Sequence, residues 1–188
     1  MTDYFALLGQ PRLPYLDHDA IQEAFRERAR LFHPDANSAA ESEDFIQLNN
    51  AFSVLRDPRL RLQHLLLLEN CEAAAEEFGN ELADLFSRVA ELAHRAKQQI
   101  AATRPSQSAI AQSMAQVKRR LISDRLGALL QELESTESEA QSDLAALNEK
   151  WNRNREAAMV AAKKLQHRFT FVQRWLATLR ELHFQLQN

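Results

Sequence analysis

A histidine and an aspartate flank a single proline at His33-Pro34-Asp35, giving one imidazole and one carboxylate on a segment where the backbone cannot continue a helix. Three arginines precede them at alternate positions, Arg26, Arg28 and Arg30, with Glu23 and Glu27 interspersed. This set is poor in catalytic potential. A general base needs a nucleophile to activate and a pocket to hold the reacting atoms, and a lone His-Asp pair on a turn has neither. It suits docking: cations steer an acidic surface into place, and a carboxylate accepts a charge-assisted bond from an arginine of the partner. The plainer reading is a helix stop followed by a turn, with the arginines on a solvated face.

The flanking segments supply a frame for the tripeptide. Ile21, Ala24, Phe25, Ala29 and Phe32 recur at helical spacing, with Asp17 or Asp19 available as the N-cap. Phe45, Leu48, Phe52 and Leu55 form a second stripe at spacings of three and four. Two antiparallel helices bearing these stripes would carry the tripeptide at one end, with the small polar residues 36–43 as slack. A short helix over Tyr4–Leu8 would lay Tyr4, Phe5 and Leu8 against the pair and stop at Gly9.

Asp3-Tyr4-Phe5-Ala6-Leu7-Leu8-Gly9, the arginine-bearing helix, His33-Pro34-Asp35 and the run Phe45 to Pro58 together resemble the J-domain, in order and in spacing. The resemblance implies docking on a DnaK/HscA-type seventy-kilodalton heat-shock chaperone and stimulation of its ATPase. His33, Pro34 and Asp35 would be indispensable, with Arg26, Arg28 and Arg30 steering the encounter. The chain departs from the common pattern at Arg28, where many J-domains have leucine, at Glu27 and Leu31, where they have lysine, and at Ala36 in place of another lysine.

Composition bounds the rest. A chain of 188 residues with 45% hydrophobic content can bury a sizeable core, and three Gly and five Pro favour an almost wholly helical protein. A net charge of −3 argues against a dedicated nucleic-acid binder. With Cys71 as the sole cysteine and no His-Glu-x-x-His arrangement, no metal site, cofactor or disulfide framework is expected. No apolar run reaches membrane-spanning length, and a recognisable domain from residue 3 leaves no room for a signal peptide, so the expected location is the cytoplasm.

After Pro58 a helix leads straight on through Leu65 to Leu68. Residues 72–102 are expected as a long helix with Leu82, Leu85, Phe86, Val89, Leu92 and Ala96 on its apolar side, broken at Arg104-Pro105-Ser106. The next carries Ile110, Met114, Val117 and Leu121, then Ile122, Leu126, Leu129 and Leu133. It should end near Glu134-Ser135, where Thr136-Glu137-Ser138-Glu139 reads as a capping box. Residues 137–187 form one helix or two, with Asn152-Arg153-Asn154 as the place for a kink. All these stripes should pack as an antiparallel bundle.

The expected fold is therefore all-α: an N-terminal J-domain over residues 1–69, with its antiparallel helix pair and tripeptide loop, then an elongated C-terminal antiparallel helical bundle over residues 70–188. This layout resembles that of HscB, the co-chaperone family of iron-sulfur cluster assembly. Leu55-Arg56-Asp57-Pro58 with Arg61, Val117-Lys118 followed by Arg125 and Gln131-Glu132-Leu133, and Ala161-Ala162-Lys163-Lys164-Leu165 carry the likeness. It implies delivery of a client, the iron-sulfur scaffold protein, held by an apolar patch that maps onto Leu85, Phe86 and Val89. The acidic residues that accompany the patch in that family read here as Ala90, Ala93 and Lys97, and residues 136–150 look like an extra stretch. Leu85, Phe86 and Val89 serve equally well as bundle core. A J-domain adaptor for another client and a structural helical interaction protein are the alternatives.

Overall fold

The computed structural model describes residues 2–31, 43–70, 80–102 and 108–187. Phe32, His33-Pro34-Asp35, Cys71 and the expected break at Arg104-Pro105-Ser106 lie outside them. Among the described residues every regular element is a helix, as the all-α expectation requires. In chain order the helices are α1 (Tyr4–Leu8), α2 (His18–Leu31), α3 (Glu43–Arg56), α4 (Pro58–Leu68), α5 (Asn80–Ala101), α6 (Ala109–Arg153) and α7 (Arg155–Gln187).

The chain forms two compact units. The first comprises Met1–Ala74 and Ala140–Phe169, the second Ala75–Glu139 and Thr170–Asn188. In the first, local signals set the helix ends. The Asp3 carboxylate accepts from the amides of Phe5 and Ala6 to start α1, and Gly9, at φ 65°, closes it in the left-handed region where a side chain would be strained. Of the two candidate caps for α2, Asp17 is the one used, accepting from Ala20 N at 2.9 Å. Asp57 caps α4, accepting from Arg59 N and Leu60 N, with Pro58 in the first turn where its missing N–H costs nothing.

The stripes expected on α2 and α3 meet, the ring of Phe25 stacking on that of Phe52 at 4.4 Å between centroids. Phe5, Leu8, Leu16, Ile21, Leu48, Ala51 and Leu55 are buried between α1, α2 and α3. The buried face of α4 adds Leu62, Leu65 and Leu66 together with two polar residues, Arg61 and His64. Arg61 donates to the carbonyls of Pro14 (2.8 Å) and Leu55 (2.6 Å). Burial pulls its pKa down to about 10, with the Asp57 charge opposing, so it stays charged at neutral pH. His64 Nε2 accepts from the backbone N–H of Tyr4 at 3.1 Å, and its ring stacks on those of Tyr4 and Phe5.

Residues 1–69 do not pack alone. Ala140, Leu144, Leu147 and Trp151 of α6 and Ala158, Ala162, Leu165 and Phe169 of α7 join the same core. Trp151 donates its indole N–H to Arg12 O, Asn148 exchanges two hydrogen bonds with the backbone of Tyr15, and Arg155 pairs with Glu69 while lying over the Trp151 ring. Residues 137–187 are not one helix. Asn154 ends α6, its N–H reaching Lys150 O, and its side chain caps α7 by accepting from Ala157 N. Within this unit the two helices then run antiparallel, with Arg168 paired to Asp143.

The second unit packs α5 against α6 and α7 around Val89, Ala93, Ala96, Ile122, Leu126, Leu129, Leu133, Trp175, Leu176, Leu179 and Leu186. Two expectations are corrected. The capping box at Thr136-Glu137-Ser138-Glu139 starts no helix; α6 runs unbroken through it, and the Thr136 hydroxyl donates back to Glu132 O, four residues earlier. The buried stripe Leu133, Ala140, Leu144, Leu147, Trp151 continues along α6 at spacings of seven, four, three and four, so its packing outweighs the local signal. Secondly, Ile110, Met114, Val117 and Leu121 do not enter the bundle core and stand exposed.

His64 gives the first unit a pH dependence. Burial disfavours the imidazolium, the Asp3 charge works against that shift and Arg12 adds to it, and the net pKa lies below the ordinary 6.5. A histidine harder to protonate when folded contributes stability that is complete above the unfolded value and is lost as pH falls below it. The melting temperature should therefore fall as pH drops below about 6.5. In His64→Phe, which keeps the stacked ring and removes the titrating nitrogen, the drop should shrink; an unchanged profile would remove His64 as its source.

Candidate functional site

The element that leads into His33-Pro34-Asp35 is α2, and its three arginines are not equivalent. Arg26 and Arg30, four residues apart, are exposed and unpaired among the described residues. With Asp19, Gln22, Glu23 and Glu27 they line a shallow surface depression. Arg28 is half-buried and turned toward α1: its guanidinium occupies the space over Gly9, with Nη2 2.5 Å from where a β-carbon on Gly9 would stand. The cation at this departure from the common J-domain leucine thus has a packing role, and the display of positive charge falls to Arg26 and Arg30. Sequence periodicity could not separate the three, because the contact between Arg28 and Gly9 joins residues far apart in the chain.

The base of this arrangement is fixed by a second charged group. Asp3, besides capping α1, holds Arg12 through Nε at 2.9 Å and Nη2 at 2.6 Å. Burial works to raise the Asp3 carboxyl, but the Arg12 hydrogen bond, the Ala6 and Phe5 amides and the Arg12 charge outweigh it and hold the pKa below the ordinary value. Arg12 in turn presents its backbone carbonyl to Trp151. Sequence reasoning assigned no role to Arg12 or His64; the available signal was the acidic residue directly before a short apolar helix.

On the second unit the three residues expected to hold a client separate. Val89 is 5% exposed and belongs to the core, Leu85 is partly buried against it, and only Phe86 stands out at 54%. Phe86 lies 6.3 Å from the ring of Trp175, which also contacts Phe171 at 5.8 Å, so the displayed ring is the outer member of an aromatic group. Phe171 and Trp175, four residues apart on α7, were the unread signal. Beside them Arg88 grips Glu132 of α6 through two hydrogen bonds, at 2.6 and 2.5 Å, which raises the Arg88 pKa and lowers that of Glu132. Among the expected departures, Ala90 and Lys97 are exposed and Ala93 is buried.

Among the described residues no three His, Cys, Asp or Glu side chains come together as a metal-binding group, and no helix is long and apolar enough to cross a membrane.

Comparison with known proteins follows the same division. Residues 3–64 match the DnaJ domain family. Chaperone protein DnaJ 2 of Thermus thermophilus is 42% identical over 60 residues, which cover 31% of this chain and 21% of that protein. A co-chaperone protein HscB homolog of Vibrio cholerae is 34% identical over 82 residues, covering 40% of this chain and 48% of the relative. The chain thus spans about a fifth to a half of the length of these relatives. Among solved structures, the chaperone HscB from Vibrio cholerae aligns over 98% of this chain and 99% of its own with a TM-score of 0.56 at 20% identity. The chain carries a DnaJ domain at its N-terminus and has the HscB fold along its length.

Gly9 joins the end of α1 to the Arg28 side chain of α2, which makes it a sensitive position. Gly9→Ala places a side chain at φ 65° and against the Arg28 guanidinium. It should cost about 1–3 kcal/mol in denaturant unfolding. Adding Arg28→Ala should recover the part due to the clash and leave the backbone strain.

Proposed function

We propose that this chain is a co-chaperone of the HscB type. It docks through its J-domain on a DnaK/HscA-type chaperone in the cytoplasm, stimulates that chaperone's ATPase, and delivers an iron-sulfur scaffold protein as client. It performs no catalysis of its own. The observation that carries this reading is the DnaJ match over residues 3–64 within a fold that follows HscB over nearly the whole chain. Arg26 and Arg30 support it: exposed, and unpaired among the described residues, on the helix that precedes His33-Pro34-Asp35, they can steer an acidic surface. Asp35 then accepts from a partner arginine, with Pro34 fixing the turn and His33 completing the contact.

Phe86 serves as the client anchor, backed by Trp175, with Leu85 lending partial area and Val89 holding the helix in place from beneath. A second reading, a J-domain adaptor for a different client, is favoured by one observation: the exposed neighbours of Phe86 along α5 include Ala90 and Lys97 where the family's patch is acidic.

The test of docking is single-turnover ATP hydrolysis by the chaperone. The native chain should accelerate it, and Asp35→Asn should weaken stimulation at least tenfold, in line with about 1.5–3 kcal/mol for a charged hydrogen bond. Absence of stimulation by the folded native chain would remove the co-chaperone role. For the client, Phe86→Ser should weaken binding of the scaffold protein roughly tenfold or more while leaving ATPase stimulation intact. A native chain that stimulates the ATPase without binding the scaffold would favour the second reading.

A further inference from the structure

The first three turns of α6 present an apolar face that the bundle does not use. Every residue from Ala109 to Lys118 is exposed. Within and just beyond this stretch Ile110, Met114, Val117 and Leu121 are between 50% and 74% exposed. Their spacing of four, three and four is that of a coiled-coil seam, and at 100° per residue they fall within an arc of about 60°. Ile122 and Leu126, which enter the core, lie on the other side of the helix. The seam is therefore turned away from the bundle.

The charge around this seam is predominantly positive, with one exposed acid, Asp124, at its edge. Residues 108–123 contain no acid, and Lys118, Arg119 and Arg120 are followed by Arg125. Arg119 is engaged with the backbone carbonyls of Leu186 and Gln185 at the end of α7. Lys118, Arg120 and Arg125 are exposed and make no ion pair among the described residues. By helical position Lys118 and Arg125 border one side of the seam and Arg120 the other.

We propose that this face docks an amphipathic helix of a partner protein whose flanking residues are acidic. The seam supplies the apolar contact, and the cations on both borders select Glu or Asp in the positions beside it. A second copy of the chain would bring the same excess of cations, with only Asp124 to meet them. An anionic membrane fits less well, since the seam has no aromatic residue and few flanking cations. The surface is distinct from the Phe86 group, and the proposal does not depend on the co-chaperone reading.

The test uses the full chain and two synthetic helices of roughly three heptads, with Leu at the seam and either Glu or Lys beside it. By fluorescence anisotropy at low salt the Glu helix should bind about tenfold tighter than the Lys helix, the sum of a few exposed charge pairs, and the gap should close at high salt. Met114→Ser with Val117→Ser should abolish binding of both without changing the melting temperature, since neither side chain is in the core. Lys118→Glu with Arg120→Glu should reverse the preference. Equal binding of the two helices, or binding unaffected by the serine pair, would overturn the proposal. So would a dimer in sedimentation that the serine pair dissolves and the Glu helix does not, or binding only to phosphatidylserine vesicles.

Discussion

Much of the first unit depends on one buried cation. Arg61 is 3% exposed, and its hydrogen bonds run to two backbone carbonyls, of Pro14 and of Leu55. A buried guanidinium is tolerated only when its donors are satisfied, and here the acceptors belong to two otherwise separate pieces: the connection between α1 and α2, and the last turn of α3. The Leu55 carbonyl sits at a helix C-terminus, where the accumulated backbone dipole favours positive charge. One side chain of α4 thereby fixes where α3 ends relative to the entry of α2. Those two helices are the ones that precede and follow His33-Pro34-Asp35 in the chain.

The same logic extends into the α6–α7 turn. Trp151, Asn148 and Arg155 reach Arg12, Tyr15 and Glu69, all on connections or helix ends and none on the stripe that packs α2 on α3. These contacts tie down the backbone between α1 and α2 and the end of α4. The reciprocal Asn148–Tyr15 pair satisfies both backbone groups of a residue in a loop, which is how an irregular segment can be held as firmly as a helix.

How much of this was legible in the sequence follows from the range of each interaction. Gly9 and the break at Asn152-Arg153-Asn154 were readable as helix punctuation because a cap is a contact between near neighbours, and the α2 and α3 stripes because burial imposes a period. Thr136-Glu137-Ser138-Glu139 failed as a cap because the apolar stripe on α6 keeps its register straight through it. Ile110 to Leu121 failed as core because a period reveals that a face exists and says nothing of whether anything covers it. Arg28 and Gly9, Arg61 and Pro14, His64 and Tyr4 are each separated by long stretches of chain, and no local pattern announces them. Of the candidate site, the tripeptide and its arginines came from pattern. That Phe86 alone of its trio is displayed came only from packing.

Burial and pairing together sort the charges by role. Arg88 with Glu132, Arg95 with Glu91 and Arg180 with Glu134 are matched pairs on the surface of the second unit. Exposed pairs of this kind stabilise little individually, but they cancel the field around them and leave the neighbourhood of Phe86 governed by apolar contact. Arg26 and Arg30 on α2, and Lys118 and Arg120 on α6, have no such partners among the described residues. Unmatched cations cost stability through mutual repulsion in return for reach, since their field extends to about 10 Å before salt screens it. In a chain whose net charge is −3, the start of α6, with Lys118, Arg119, Arg120 and Arg125 against Asp124, stands against the overall balance, whereas on α2 Arg26, Arg28 and Arg30 are offset by Asp19, Glu23 and Glu27. Exposed charge without a partner among the described residues is therefore found on α2 and the start of α6, and the displayed aromatic group on α5 and α7.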